Sequence, residues 1–539
     1  MTHTVLHYAP SLRVDDAERV AGERYGRRGS VRALTSERDQ NFFIEDAERG
    51  SIVLKVANAL EDRALLEAQQ QAMERLEQRG VPVPSVVPTA DGERLVETFA
   101  DDGTRYFTWA VTPLPGVLLA DVGFRSLELL EQLGAAVGRL TSALHGFTHP
   151  ALDRPFAWDL TSAVERVVAA RDAIADEALV TAMDAVVERV REHVLPRAHE
   201  LPRAAIHNDL NDYNILVAAS SDVPAYLTRM DRVTGIIDFG DMLNGWRVAD
   251  LAIAVAYAML DASDPLAVLA AIMRGAAREC TYEDAELDAV FALAALRLAL
   301  SATIAFEQQR SRPDNAYLGV SQAAIRRTLP RLIATPYGLA SAVARQAAGR
   351  EPVARSARVK AWLASRTATF AAVLGVDLRT APTVVLDLSV ASPLVSGDPM
   401  ENAEPKLTPR IEAAMREANA RVGIGRYDEP RLLYTAPFFG GTDPASEWRT
   451  IHIGLDLFAP AGTPVHAPMD GIVHAFADNA VPQDYGPVIV LRHDMEDGGA
   501  FFTLYGHLSR ASLRGLVTGR RIARGEQFAM LGAPDENVG

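Results

Sequence analysis

Four polar residues in the segment 205–240 have the types and spacing that phosphoryl transfer requires. His207 and Asp209 lie two positions apart, Asn214 follows, and Asp238 opens the tripeptide Asp-Phe-Gly. Short apolar runs typical of strands separate these residues, so each polar group is expected at a strand end. Phosphoryl transfer uses one carboxylate beside the acceptor hydroxyl, and an amide and a second carboxylate on the magnesium that neutralises the phosphates. The segment therefore predicts a site for that chemistry.

These residues match the H-x-D-x-x-x-x-N and D-F-G patterns of kinase catalytic loops. An isolated H-x-D is common in turns that cap helices, whereas its combination with D-F-G one hairpin later is not. The chain resembles the aminoglycoside phosphotransferase and choline kinase superfamily, which carries H-x-D where protein kinases carry H-R-D. The resemblance implies that Asp209 accepts or orients the proton of the acceptor hydroxyl while His207 braces the loop. It also implies that Asn214 and Asp238 hold magnesium.

Two β-rich runs near the N-terminus are typical of the strands that cover a nucleotide in kinases. Lys55 lies in the second run, VLKV, and is predicted to pair with the phosphates; the alternative is an outward-facing strand lysine. The preceding turn reads SERDQNF rather than G-x-G-x-x-G, and we expect Ser36 and Asn41 to help cradle phosphate there. This string resembles the hydroxylysine kinase-like branch of the superfamily.

Two further segments complete the predicted nucleotide site. The run ALLEAQQQAMERLEQRG has apolar residues at helical spacing and is predicted to be the helix that meets Lys55. Its register favours Gln69 for that contact, with Glu67 as the alternative, and residues two apart do not share a helix face. The segment RYFTWAVTPLPGV resembles the strand-to-hinge passage of the superfamily, which implies that Thr112 and Leu114 lie where the base is read.

Several other polar residues carry weaker predictions. Candidates for contact with the acceptor are Asp212, Asp241, Arg297 and Glu307, although most charges on helices only face solvent. Asp250 is predicted to cap a helix or to tie down the catalytic loop. We expect structural roles for His145, His149 and Cys280.

A second module begins near residue 428 and alternates apolar runs with turns, as β domains do. His452 and Asp456 form an H-x-x-x-D pair, and alternation along a strand puts both side chains on one face. With AGTPVHAPMDGIV and the Tyr-Gly-His that ends at His507, the pair resembles the M23 (LytM or lysostaphin-like) zinc peptidases. The resemblance implies that zinc takes this pair and a histidine of a later H-x-H strand, while His507 assists catalysis.

The H-x-H strand is missing from this sequence. Two protein ligands fall short of the three that catalytic zinc requires, and none of His466, His474 and His493 stands in an H-x-H. We therefore expect a truncated M23-like domain with weak Zn2+ binding and no peptidase activity. The order of the modules resembles fusion proteins that end in a class III aminotransferase-like, pyridoxal-phosphate domain, which suggests a functional link to such a domain.

Composition limits the partners and the compartment. The chain has 539 residues and a formal net charge of −16. This charge argues against nucleic acid or an anionic membrane surface and fits a cationic small substrate. One cysteine excludes an intramolecular disulfide, no signal peptide is evident, and we expect no run of the ~18 apolar residues that span a membrane. The prediction is a cytoplasmic protein.

Together these features predict an α+β multidomain chain, in which a two-lobed protein-kinase-like fold precedes an incomplete antiparallel β M23-like domain. The expected divisions are an N-lobe at 1–115, a helical C-lobe at 116–347, a connector at 348–427 and the M23-like domain at 428–539. The resemblance implies a Mg2+-dependent kinase that uses ATP or GTP on a small amino alcohol, such as hydroxylysine or ethanolamine. The alternatives are a zinc metallopeptidase and a scaffold without catalysis.

Overall fold

The computed structural model divides the chain into two compact units, an N-terminal unit that ends at Ser356 and a C-terminal unit that begins at Ala357. The described residues are 9–36, 38–100, 102–219, 230–311, 321–353, 356–390, 392–402, 405–432, 451–481, 484–496 and 498–536. The division lies close to the predicted end of the C-lobe at 347. The predicted inner bounds at 115 and 427 stay predictions.

The first lobe of the N-terminal unit is an antiparallel sheet with a helix, α1 (Val14–Tyr25), packed on its first two strands. Its strands are β1 (Ser30–Leu34), β2 (Gln40–Glu45), β3 (Ile52–Val56), β4 (Val86–Val87), β5 (Val96–Phe99) and β6 (Arg105–Val111). Their order is β1-β2-β3-β6-β4, and β5 also pairs with β6. Because side chains alternate along a strand, burial of Leu54 and Val56 turns Lys55 to the opposite face.

Helix α2 (Arg63–Gln78) is the helix predicted to meet Lys55. It begins after Asp62, whose carboxylate accepts a hydrogen bond from the backbone N–H of Ala64 at 2.8 Å and so satisfies an unpaired donor of the first turn. Its predicted apolar stripe is buried, as Leu65, Ala68, Met73 and Leu76 show. The helix therefore rests on the core through the face that its periodicity indicates.

The second lobe is helical and carries two small sheets that present the catalytic segments. The helices are α3 (Leu127–Leu144), α4 (Ala163–Ala170), α5 (Glu177–His193), α6 (Ala249–Ala258), α7 (Pro265–Glu279), α8 (Asp284–Ser311), α9 (Gln322–Ala334) and α10 (Tyr337–Ala347). The strands are β7 (Val117–Leu118), β8 (Arg203–Ile206), β9 (Ile215–Ala219), β10 (Met230–Ile236) and β11 (Leu243–Trp246). They form the sheets β10-β9-β7 and β11-β8. The two-lobed kinase-like fold predicted from the sequence is confirmed.

Helix α8 corrects one expectation. Its stretch Asp284–Gln309 is long and apolar enough to cross a membrane by length and composition, so the prediction that no such run exists was wrong. However, 94% of its most apolar window is buried inside the protein. Burial on all sides explains the composition, because a helix surrounded by other helices needs no polar face.

The C-terminal unit consists of short sheets with two helices, α11 (Ser356–Arg366) and α12 (Leu407–Glu417). The strands are β12 (Thr383–Leu386), β13 (Val422–Gly425), β14 (Glu429–Pro430), β15 (Ile451–His452), β16 (Asp456–Phe458), β17 (Pro464–His466), β18 (Gly471–Asn479), β19 (Gly486–Asp494), β20 (Ala500–Tyr505), β21 (Arg521–Ile522) and β22 (Gln527–Met530). They form the sheets β12-β13-β16, β14-β15, β17-β22 and β20-β19-β18-β21. Strand β13 of the predicted connector thus pairs with β16 of the M23-like region.

Candidate active site

The backbone of the catalytic loop after β8 is held by the carboxylate of Asp250, at the start of α6. This carboxylate accepts the backbone N–H groups of His207 (3.0 Å) and Asn208 (2.7 Å). Asn208 has a positive φ of 66°, a conformation that is sparsely populated without such support. His207 is fully buried, its Nε2 lies 3.0 Å from the carbonyl of Ile237, and burial lowers its pKa. The histidine is therefore a neutral brace between the loop and the Asp-Phe-Gly segment.

Asp209 is surrounded by donors on both carboxylate oxygens. Oδ1 accepts Arg297 Nη2 at 2.7 Å and Asn211 Nδ2 at 3.0 Å, while Oδ2 accepts Asn214 Nδ2 at 2.8 Å. Burial raises the pKa of Asp209 to about 7, and Arg297 opposes that rise. Arg297 is 1% exposed and stacks 4.3 Å from the ring of Trp158. The carboxylate is thus fixed in orientation and can accept a proton.

Asp238 and Lys55 form the second part of the site. Asp238 has φ 63°, and Lys55 Nζ lies 3.5 Å from its Oδ1. The ammonium of Lys55 holds the pKa of this carboxyl below its usual value. Lys55 Nζ also lies 5.3 Å from the centre of the Trp109 ring. The structure therefore brings the predicted phosphate-pairing lysine to the predicted metal-binding carboxylate.

Of the remaining predicted phosphate contacts, Ser36 lies before β2 and Asn41 lies on it. Ser36 is exposed just after β1, and Asn41 stands opposite Lys55 in the β2–β3 pair. Within the described residues, Asn41 Oδ1 is buried without a hydrogen-bond partner. Gln69 is 3% exposed on α2, whereas the ion pair that Lys55 makes is with Asp238. A role for Gln69 at Lys55 stays a prediction.

The predicted hinge joins the lobes. Thr112 exchanges two hydrogen bonds of 2.9 Å with Ser85, one through its backbone N–H and one through its hydroxyl. Leu114 lies against Gly235 of β10, where an added Cβ would come within 2.7 Å of Leu114 Cδ1. Gly116 has φ 126°, which favours glycine. The hinge therefore leads directly from the end of β6 to the strands that carry the catalytic residues.

The four charged candidates for acceptor contact are all engaged with other side chains. Asp212 is 2.6 Å from Arg125, and Arg297 pairs with the catalytic carboxylate. The two others also form ion pairs, Asp241 with Arg38 and Glu307 with Arg166. The charge of these residues suggested a functional role. The local spacing of residues in the sequence could not reveal their ion-pair partners, which lie far away along the chain.

The donor set fits a divalent cation of the magnesium type, which prefers oxygen ligands. The carboxylate of Asp238 is more than half exposed. The amide nitrogen of Asn214 donates to Asp209, which leaves its amide oxygen as the donor atom for a metal. One carboxylate and one amide oxygen next to Lys55 match the small number of protein ligands that magnesium takes when it binds with phosphates.

The M23-like pair has a different environment. His452 Nε2 lies 3.3 Å from Asp456 Oδ1, but the prediction that one strand carries both residues was wrong, because His452 ends β15 and Asp456 begins β16 of another sheet. However, Asp456 Oδ2 also accepts Arg431 Nη2 at 2.6 Å, and Arg431 Nε donates to Glu429 at 3.0 Å. His507 is exposed. Among the described residues, no group of three or more His, Cys, Asp or Glu side chains could hold a metal ion. These residues do not fit the zinc that the family implies.

The other histidines of this unit stand apart from that pair. His493 is buried, with Nδ1 2.7 Å from the carbonyl of Asp470 and Nε2 2.8 Å from the hydroxyl of Thr503. His474 is exposed on β18. His466 Nδ1 is buried without a hydrogen-bond partner in the described part of the chain. In the described part of the chain, none of the three belongs to a group of side chains that could hold a metal ion.

Comparison with known proteins agrees with both modules. The model of the phosphotransferase enzyme family matches residues 30–297, and that of peptidase family M23 matches residues 450–539. Hydroxylysine kinase of Danio rerio is 32% identical over 336 residues, which span 60% of this chain and 92% of that protein. The Xenopus laevis hydroxylysine kinase is 31% identical over 324 residues, spanning 57% and 85%.

Solved structures also resemble the N-terminal unit. Amicoumacin kinase, solved with AMP-PNP and Ca2+, gives a TM-score of 0.46 at 17% identity and covers 62% of this chain and 97% of its own. A microcompartment-associated aminopropanol kinase gives a TM-score of 0.43 at 20% identity and covers 63% and 100%.

Proposed function

The chain belongs to the phosphotransferase enzyme family and is a small-molecule kinase, and from this we propose that it phosphorylates the hydroxyl of a small amino alcohol. The carrying observation is Asp209, a carboxylate oriented by Arg297 and Asn214 beside the Lys55–Asp238 pair. This arrangement supplies a proton acceptor and a phosphate-binding cation at one place.

In the proposed reaction Asp209 accepts the proton of the acceptor hydroxyl while the hydroxyl oxygen attacks the terminal phosphorus of the nucleotide. The bond from that phosphorus to the bridging oxygen breaks, and the nucleoside diphosphate leaves. Burial raises the pKa of this carboxyl and so favours proton uptake, while Arg297 opposes that rise. Lys55 binds the nucleotide phosphates. Asn214 and Asp238 would hold Mg2+, which would neutralise charge on the phosphates.

The acceptor class follows from the relatives and from charge. The relatives of 32% and 31% identity are hydroxylysine kinases, which supports an acceptor that is hydroxylysine- or ethanolamine-like. The formal net charge of −16 also fits a cationic acceptor.

The test is phosphate transfer from ATP and from GTP, with Mg2+, to hydroxylysine, ethanolamine, 1-amino-2-propanol and a panel of aminoglycosides. We expect transfer to an amino alcohol with at least one of the two nucleotides. Transfer to aminoglycosides alone would overturn the acceptor class and keep the chemistry. No transfer to any acceptor, with nucleotide still bound, would favour the scaffold.

We also propose that the M23 domain of the C-terminal unit has no peptidase activity. The guanidinium of Arg431 provides a positive charge at Asp456 where a peptidase of this family would place zinc. Glu429 holds that guanidinium from the other side. Because the guanidinium of Arg431 already supplies a positive charge, the carboxylate of Asp456 gains less by binding a metal cation.

Zinc content of the purified full chain, measured by elemental analysis after dialysis against zinc, tests this proposal. We expect far less than one zinc per chain, with no change in His452→Ala or in the control His474→Ala. Stoichiometric zinc that is lost in His452→Ala and kept in His474→Ala would revive the zinc metallopeptidase.

A further inference from the structure

The turn between β1 and β2, which is predicted to cradle phosphate and is here called the nucleotide turn, is hydrogen-bonded to the residues that follow β3, the strand that carries Lys55. Asn58, two residues after β3, donates its backbone N–H to the carboxylate of Asp39 at 3.0 Å. Its side-chain amide also donates to the carbonyl of Arg38 at 3.2 Å. These two hydrogen bonds fix the turn to the end of the strand that carries Lys55, and Arg38 projects from the turn.

Arg38 reaches the other lobe. Its guanidinium forms an ion pair with Asp241, 203 residues later and immediately after Asp238-Phe239-Gly240. Asp241 is 9% exposed, so this pair is shielded from solvent on one side. Arg38 also lies 5.8 Å from the ring of Phe156. The nucleotide turn is thus joined to the segment that carries the metal-binding carboxylate.

A second arginine holds the same segment from its backbone. Arg154 donates to the carbonyl of Gly240 at 3.1 Å and to that of Met242 at 3.2 Å, and it packs 4.4 Å from the same Phe156 ring. Arg38 packs closely on Gly240, where an added Cβ would lie 3.2 Å from Arg38 Nη2. The two arginines therefore clamp the short helical turn Phe239–Asp241.

This clamp acts next to a residue in an uncommon backbone conformation. Asp238 has φ 63° and ψ 78°, a region that non-glycine residues adopt only when surrounding contacts enforce it. Its carboxylate must nevertheless meet the metal and the phosphates in one geometry. Lys55 contacts this carboxylate from the first lobe, and Arg38 fixes the turn that follows it.

We propose that Arg38 is a positioning residue, which through Asp241 holds Asp238 in register with the nucleotide turn. The proposal rests on the proposed kinase function and goes beyond it, because it assigns a role in catalysis to the Arg38–Asp241 ion pair, which is separate from the groups assigned to the proton, the phosphates and the metal. Arg38 acts on the arrangement of the site during transfer. Its loss is felt in turnover rather than in nucleotide affinity.

The first test compares Arg38→Ala, Asp241→Asn and the double variant with Arg32→Ala, an exposed arginine on β1 of the same sheet. We expect kcat to fall by about 10- to 100-fold in Arg38→Ala, with little change in KM for the nucleotide and partial recovery in Arg38→Lys. The double variant should be no slower than the slower single variant, since the two residues act as one unit. A raised KM with unchanged kcat, or effects that multiply in the double variant, would overturn the proposal.

The second test needs no acceptor and so separates this proposal from the proposed function. Amide hydrogen exchange of the segment 239–242, followed by mass spectrometry with Mg2+ and ADP present, should be faster in Arg38→Ala than in wild type and unchanged in Arg32→Ala. Equal protection in Arg38→Ala would contradict the clamp even if transfer were lost. If the wild-type protein transferred no phosphate but this difference in hydrogen exchange were observed, the proposed reaction would be wrong and the clamp would stand.

Discussion

At Asp209 the two carboxylate oxygens are in different environments. Oδ1 takes a charged and a neutral donor, from Arg297 and Asn211, whereas Oδ2 takes the amide of Asn214 alone. The oxygen with fewer donors keeps more capacity to accept the proton of an incoming hydroxyl. We therefore assign the proton to Oδ2. Asn214 then has two tasks, since its nitrogen orients the base and its oxygen is available to the metal.

Arg297 should be important for stability as well as for activity. In Arg297→Met the carboxylate of Asp209 loses its buried counter-charge, and we expect a loss of about 3 kcal/mol in the free energy of unfolding. Adding Asp209→Asn should recover part of that loss, because the uncompensated charge is removed. Urea-induced unfolding measures both.

The matched control is Arg326→Met, which breaks a largely exposed ion pair with Asp176. Pairs of that kind contribute about 1 kcal/mol or less. If Arg297→Met were no more destabilising than Arg326→Met, the buried pair would not have the strength assigned to it.

At the scale of elements, the most extensive helix–helix contact among the described residues of the second lobe is between α3 and α7. A Cβ added at Gly134 of α3 would lie 1.9 Å from the carbonyl oxygen of Ile272, and one at Gly275 of α7 would lie 1.9 Å from that of Glu131. Glycine at these positions lets the two backbones touch. This packing places α3 beneath β10, the strand that leads to Asp238.

Gly275→Ala should therefore destabilise the protein, although alanine normally favours a helix. We expect a loss of about 1–3 kcal/mol from overpacking. The control is Gly338→Ala on α10, where nothing lies within 4 Å of the added Cβ and a gain of up to about 1 kcal/mol is expected. Thermal unfolding of both variants decides, and a stabilised Gly275→Ala would contradict the close helix contact.

How far the sequence predicts such elements depends on the range of the interactions. Helix α2 and its buried stripe follow from local periodicity, and motif spacing was enough to anticipate that Asp209, Asn214 and Asp238 would lie together. The partner of Asp209 was out of reach, because Arg297 stands 88 residues away in an apolar helix without a motif. Local patterns carry no information on which distant side chains meet.

At the scale of the whole molecule, the two units have separate hydrophobic cores. The clusters of the first unit contain residues up to position 348, and those of the second begin at 373. All residues assigned to phosphoryl transfer belong to the first unit. Units with their own cores can fold independently.

A fragment of residues 1–353 should therefore retain the kinase activity of the full chain. We expect an unchanged kcat and an unchanged KM for the nucleotide, measured with the acceptor that the full chain uses. A soluble, folded fragment without transfer would show that the C-terminal unit takes part in the reaction.

The most direct test of the whole account is single-turnover phosphate transfer by Asp209→Asn, together with calorimetric binding of the Mg2+–nucleotide complex. Asparagine has nearly the same shape and size as aspartate, but its amide does not accept a proton as the carboxylate does. We predict that transfer slows by about 10²- to 10⁴-fold while nucleotide affinity stays at the wild-type level. Transfer at the wild-type rate would contradict the assignment of Asp209 as the base and, with it, the proposed reaction.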